Sequence, residues 1–480
     1  MADFFLRKGL SATRSPTSLQ ADFPASFAVF RMSLLSQSLS ENRRTFALAT
    51  PMVAGHVGQM LMGWADTIMV GRIGVTELAA CAFANTVLSI PFVFGFGLLS
   101  GVSVRTSHSY GAQRERQCGE ALRFGLLIAI FIGVVIAAAI QFSFPWIHVL
   151  GQSPEVNSAS KTFLILCAWS IVPAFITTVS KSFSEALARP WVPFWIIIGG
   201  VLLNVVLNWI LIYGNLGAPA LGLTGAGIAT LTARCVVAAV TLGFILKVTY
   251  FQKYLPLKWF RWDQSWESKA LLRLGLPAGA MHLAEVSGFG FGSLMMGWLS
   301  IDAMAAHQIA ITCAGTTFMI PLGVSQAVAV RVGRARGAKE YDRCRPIIVG
   351  ALGLILVIMS FFTVLFIVGG PTIAGWFVTN GPVVALAAQL MLIAGLFQIC
   401  DGWQIVCAGS LRGFEDTRVP MFIGIFAYWF VAIPFSYIVA FKVGVGPQGV
   451  WLGFVVGLIV AAIALGWRVH RQLEKIVKLA

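Results

Sequence analysis

The chain has 480 residues, of which 58% are hydrophobic and only 11% charged, with a mean hydropathy of +0.84. Soluble globular chains carry about 25% charged residues, so this composition excludes a water-soluble fold and specifies an integral membrane protein, which the apolar runs below make all-α. The formal net charge of +15 would suit nucleic acid, but about 30 of the 34 Lys and Arg fall on the terminal segments and even-numbered loops between apolar runs. That is the positive-inside pattern, which places both termini in the cytoplasm and removes the case for a nucleic-acid partner.

Residues 1–44 mix Ser, Thr, Pro and charge, with no long apolar run, so they form neither a signal peptide nor a span. They are expected to be a disordered extension or to reflect an upstream start codon, with Met32 as the working start. N-terminal sequencing would decide between the two. With about 20 apolar residues needed per crossing, spans are predicted at 46–70, 79–103, 122–144, 161–180, 193–213 and 224–246. A second set follows at 276–298, 304–330, 347–368, 383–407, 419–441 and 449–467. Runs such as LLIAIFIGVVIAAAI are apolar on every face, unlike the alternating strands of a β-barrel.

The expected architecture is therefore twelve transmembrane helices in two six-helix lobes, 45–249 and 273–468. A polar, aromatic and basic linker at 250–272 is expected to lie along the cytoplasmic surface, and a basic tail occupies 469–480. Among the basic residues, Arg72, Lys161 and Lys442 fall on odd-numbered loops and Arg234 lies inside a span. Of the eight cysteines, Cys81, Cys167, Cys235, Cys313, Cys400 and Cys407 fall within spans. No CxxC or Cys/His spacing suggests a zinc site or a disulfide framework.

The two sets of spans are related. A shift of 226 residues, from Pro51 to Pro277, holds without a gap through Cys118, pairing VSVRTSHSYGAQRERQC with VAVRVGRARGAKEYDRC. About a quarter of these positions are identical, among them His56/His282, Arg105/Arg331 and Gly111/Gly337. Six is an even number of crossings, so both copies run the same way through the membrane. The repeat is parallel, about an axis along the membrane normal, and in transporters of that build the binding sites lie near the midplane.

The copies differ in the carboxylates that their spans carry. Asp66 aligns with Gly292, Glu285 with Gln59, and Asp401 near Ala174. Intramembrane carboxylates cost several kcal/mol to insert and mark ion or proton pathways by default, the alternative being a structural hydrogen-bond partner. Burial raises a carboxylate's pKa toward neutral, so such groups can load H⁺, hold Na⁺ once ionised, or attract a cationic substrate. Asn204 and Asn208 are four apart on one helix face and can bond a protonated acid or coordinate a cation, or serve as interhelical glue. Arg234 is open between pairing with a carboxylate and snorkelling. His307 and the His56/His282 pair are open between proton relay and packing. Glu185, beside Lys181 and Arg189, is read as a solvated loop charge, and the glycines of GFGLLSG and VSGFGFGSLMMG as sites of close helix packing.

The stretches MGWADTIMVG, LNVVLNWILIYG, MAAHQIA and ICDGWQIVCAGSLRGFEDT, together with RVG and a downstream RGA, resemble the NorM-type branch of the multidrug and toxic compound extrusion (MATE) transporters over residues 42–472. The resemblance implies a V-shaped pair of lobes exporting cationic or amphiphilic small molecules in exchange for H⁺ or Na⁺. The protein would be a monomer in the bilayer of the bacterial inner membrane, with no cofactor and no enzymatic step. It further implies that Glu285 and Asp401, the seventh- and tenth-helix acids, form a cation site able to hold Na⁺. Asp66, the first-helix acid, would join Asn204, Asn208 and Phe397 in binding a second ion or the substrate. Close relatives that use Na⁺ have a Tyr one turn before the tenth-helix acid, where this chain has Phe397. That missing oxygen favours H⁺. A flippase for a lipid-linked or anionic metabolite would need several basic residues facing the cavity, and only Arg234 qualifies. A membrane-embedded prenyl transferase would need clustered acids for Mg²⁺ and pyrophosphate, which the sequence lacks.

Overall fold

The computed structural model describes residues 22–150, 153–256, 259 and 265–477, and among them there are helices and turns but no β-strand. The first lobe comprises α1 (Asp22–Gly71), α2 (Val75–Gly111), α3 (Glu115–Ser143), α4 (Pro154–Ala186), α5 (Trp191–Tyr213) and α6 (Gly222–Lys247). The second comprises α7 (Ser265–Leu299), α8 (Ile301–Gly337), α9 (Cys344–Phe377), α10 (Gly381–Gly413), α11 (Arg418–Lys442) and α12 (Pro447–Val477). Ten of these are long and apolar enough by composition to cross a membrane, and α1 and α7 carry the apolar runs 46–70 and 276–298. All twelve expected spans are helices.

Two irregularities matter later. A turn at Ser170 interrupts α4, and α11 opens into π-helical turns at 426–432 and 438–442, on either side of Pro434. Pro lacks the N–H that a regular α-turn needs, and wider turns of this kind recur at functional sites.

The repeat seen in sequence is also a symmetry of the contacts. A Cβ placed on Gly111 would lie 2.1 Å from the Arg334 carbonyl oxygen, and one on Gly337 would lie 2.0 Å from the His108 carbonyl oxygen. These contacts exchange under the same 226-residue shift. Likewise Gly97 abuts Gly279 of α7, while Gly323 abuts Val53 of α1. The pseudo-twofold axis therefore runs between α2 and α8, close to Ser107 and Gly333, which touch. Small residues let the backbones meet there.

Two ion pairs repeat the same exchange. Arg105 of α2 donates through Nε and Nη2 to both carboxylate oxygens of Glu267 (2.6 and 3.1 Å) in the first turn of α7, and Arg331 of α8 pairs with Glu41, the residue of α1 that matches Glu267 under the repeat shift. Each lobe's first helix thus reaches across to the other lobe at the end of the bundle where the basic residues gather. Consequently the boundary drawn after residue 44 does not fall at a helix end. No Gly or Pro intervenes between Ala25 and Thr50 to stop α1, and Glu41 is buried against the second lobe. Residues 265–272 of the expected linker are likewise the first turns of α7, with Glu267 buried. Residues 249–256 pack onto the first lobe, where the Tyr254 and Tyr110 rings lie 5.7 Å apart. Helix α12 extends into the expected tail, and residues 1–21, 257–258, 260–264 and 478–480 lie outside the described residues.

Removing one member of a buried ion pair typically costs about 3–5 kcal/mol, so Glu41→Gln should lower the thermal unfolding midpoint strongly. Glu267→Gln should lower it less, because Arg105 keeps a second carboxylate, Glu415, at 3.5 Å. Equal losses would mean that Glu415 contributes nothing.

Candidate functional site

The second-lobe acids converge although they lie 116 residues apart in sequence. Gln404, three residues after Asp401 on α10, donates from Nε2 to Asp401 Oδ1 (3.3 Å) and to Glu285 Oε1 (3.1 Å), and lies 3.1 Å from the Tyr428 hydroxyl. Tyr428 in turn donates to Glu285 Oε1 at 3.1 Å. All four side chains are buried. An amide nitrogen carries only two hydrogens, so these three acceptors compete for it. The Gln404 carbonyl oxygen and both polar atoms of the nearby buried Gln398 have no hydrogen-bond partner.

On its other oxygen Glu285 faces His282 Nδ1 at 3.5 Å, and His282 Nε2 lies 3.3 Å from Arg412 Nη1, whose Nη2 donates to Ser325. Of the repeat-related histidines, His282 therefore touches the site, whereas His56 bonds across the lobes to Gln326 at 3.1 Å. His307 is a packing residue held by Ser293 (2.8 Å) and Trp451 (3.2 Å).

The first-lobe cluster forms at the far end of α1. Asp66 accepts from Asn208 Nδ2 at 2.5 Å, and Asn208 also donates to Asn204 at 3.2 Å. Thr230 of α6 lies 3.5 Å from both Asp66 and Asn204. Both asparagines are buried because their shared face of α5 looks toward α1 and α6. The carboxylate is half-buried and lines a cavity of about 300 Å³ walled by Met62, Leu88, Phe92, Phe96, Phe163 and Ile171. Arg234 lines the same cavity and reaches Asp66 only through its charge; its direct contacts are to Ser170 Oγ in the α4 turn, to which it donates at 2.8 Å, and to the face of the Phe92 ring.

Two expectations change. Phe397, grouped with Asp66 and the asparagines, lies in the other lobe, packed on Phe289 and Trp451 one turn from Asp401. Glu185 is not a solvated loop charge. It is buried beside Lys181 (3.6 Å), because the end of α4 is covered by the second lobe, whose Arg334 caps the Glu185 and Ala186 carbonyls.

Tyr428, Gln404, Thr230 and Arg412 went unnoticed in the sequence. Gln404 was findable, being one turn from Asp401 on the same face. Tyr428 was not, since it lies 143 residues from Glu285 in sequence, on a different helix, in the π-helical stretch of α11.

A profile of the MatE family matches residues 51–210 and 277–438, two copies whose starts are separated by the repeat shift. The chain belongs to the MatE family. It is 33% identical over 440 residues to the probable multidrug resistance protein NorM of Rhizobium meliloti, covering 90% of this chain and 94% of that one. It is 34% identical over 471 residues to the probable NorM of Rhodopseudomonas palustris, covering 97% of each. Among solved structures, the eukaryotic MATE transporter AtDTX14 superposes with a TM-score of 0.84 over 92% of this chain and 99% of its own, at 20% identity. A mutant of the Vibrio cholerae MATE transporter VcmN gives 0.83 over 92% and 98%, at 19% identity. At such identities these structures establish the fold. This MatE protein is a multi-pass membrane transporter and not an enzyme.

Proposed function

We propose that this MatE protein is a cation-coupled antiporter of the bacterial inner membrane that exports cationic or amphiphilic organic compounds by alternating access, with both termini in the cytoplasm. The observation that carries this reading is the buried Glu285–Gln404–Asp401 bridge: two carboxylates share one amide nitrogen away from water. Two ionised acids so placed repel each other and lose their hydration, so the site calls for H⁺ or a bound cation.

Phe397 supplies no oxygen, but Tyr428 brings a hydroxyl from α11 and Gln404 keeps a carbonyl oxygen unpartnered. These oxygens, with the two acids, fit Na⁺ as coupling substrate as well as H⁺. In the first lobe, Asp66 in a largely apolar wall suits a cationic amphiphile or a second ion, with Asn208 and Thr230 orienting the carboxylate. Cation uptake from the side opposite the basic end would neutralise the acids and favour the opposite-facing state. It does so only by the ion's differential affinity for the two states.

Arg234 in the same cavity favours one rival, export of an anionic or lipid-linked metabolite. Ethidium efflux from energised vesicles, with Na⁺ and pH gradients imposed separately and wild type compared with Asp401→Asn, separates the readings. Export driven by one gradient and lost in the variant supports cation antiport and names the ion. No ethidium export under either gradient would transfer the assignment to the anionic substrate.

A further inference from the structure

At the basic end of the bundle a second cavity, of about 530 Å³, opens between the lobes, far along α1 and α8 from both acidic sites. Arg44 of α1, Arg331 and Arg334 of α8, and Arg343 line it, and Glu340 is the acid among its walls. Their charges do not balance. Glu41 alone serves three guanidinium groups: Arg331 on Oε2, and Arg44 (3.4 Å) and Arg343 (3.3 Å) on Oε1. Arg343 also pairs with Glu340. Arg334 spends its donors on the Glu185 and Ala186 carbonyls and sits 5.1 Å over the Tyr110 ring. Three guanidinium groups thus share two carboxylates and the fourth, Arg334, has none, in a recess formed by both lobes, and the volume suits a small-molecule headgroup.

We propose that this cavity binds a phosphate group, and specifically the phosphodiester headgroup of an anionic membrane lipid. Arginine's planar fork is matched to phosphate oxygens, and basic pockets between membrane helices are recurrent headgroup sites. A lipid fits better than a free anion because the wall continues through Ala47, Leu48 and Ile347 to Trp191, which is half-exposed, with Phe194 and the exposed Trp195 close by. Aromatic residues of this kind mark the membrane interface. A headgroup bridging Arg44 of the first lobe and Arg343 of the second would hold the basic end shut.

The test is thermal unfolding and native mass spectrometry of the full-length protein in detergent, titrated separately with phosphatidylglycerol, phosphatidylcholine and inorganic phosphate. The expected result is a preference for phosphatidylglycerol over phosphatidylcholine of about tenfold or more, about 1.4 kcal/mol. That preference should fall with added salt and be lost in Arg44→Gln/Arg343→Gln, both exchanges being at partly exposed side chains. Glu340→Gln removes an acid from the wall and should strengthen binding, which keeps the test decisive if the double variant does not fold. Stabilisation by inorganic phosphate equal to that by phosphatidylglycerol would keep the anion site and overturn the lipid. Equal binding of both lipids, full preference in the double variant, or weaker binding in Glu340→Gln would overturn the proposal.

Discussion

Glu285→Gln is expected to reduce coupled ethidium efflux to the level of vesicles lacking the protein, while the variant is expressed and folded as wild type. The exchange preserves volume, and its amide oxygen can still accept from Tyr428 and Gln404, whose donors otherwise reach Glu285 Oε1 at 3.1 Å each. What disappears is the ability to carry negative charge and to take up a proton or cation, and with it the differential ion affinity that drives the conformational exchange. Binding of ethidium to the detergent-solubilised protein should stay within about twofold of wild type, because Asp66 and its cavity lie in the other lobe. Efflux at wild-type rates from this variant would remove the second-lobe acids from the mechanism. Lost binding together with lost efflux would show instead that Glu285 holds substrate.

Helix number, the parallel repeat and the presence of three carboxylates within the spans are legible because each leaves a local trace: a long apolar run, a constant shift, an isolated charge. Contacts across the lobes are not. The Glu41/Glu267 equivalence lies before Pro51, where the clear identities of the repeat begin, although Arg105/Arg331 stands within them. Once the helices are assembled, those four residues are the two crossed ion pairs of the basic end. Glu185 was misjudged for the same reason, since its spacing from Lys181 and Arg189 is that of a solvated edge and only the opposing lobe buries it. Phe397 invited a conclusion from one missing hydroxyl. Tyr428, in the π-helical stretch of α11, brings a hydroxyl to Glu285 from a helix that the spacing around Asp401 does not point to.

The pseudo-twofold crossing of α2 and α8 sets the second large expectation. Gly111 and Gly337 each face a carbonyl oxygen of the opposite lobe at a distance no side chain tolerates, 2.1 and 2.0 Å from an added Cβ, and the obstacle is backbone, which cannot rotate aside. A leucine at either position must therefore part the lobes at the basic end. Drug efflux should fall by about tenfold or more in Gly111→Leu and in Gly337→Leu alike, since packed interfaces switch between discrete arrangements and do not deform gradually. A cysteine at Ser103, which lines a small cavity between the lobes, should become reactive to a membrane-impermeant maleimide from the basic side in both variants and stay protected in the parent. Because the two contacts exchange under the repeat shift, the two glycines must behave as equals. If Gly111→Leu is inactive and Gly337→Leu transports normally, the crossing is not the shared closure of two equivalent lobes, and only one lobe moves against a fixed partner.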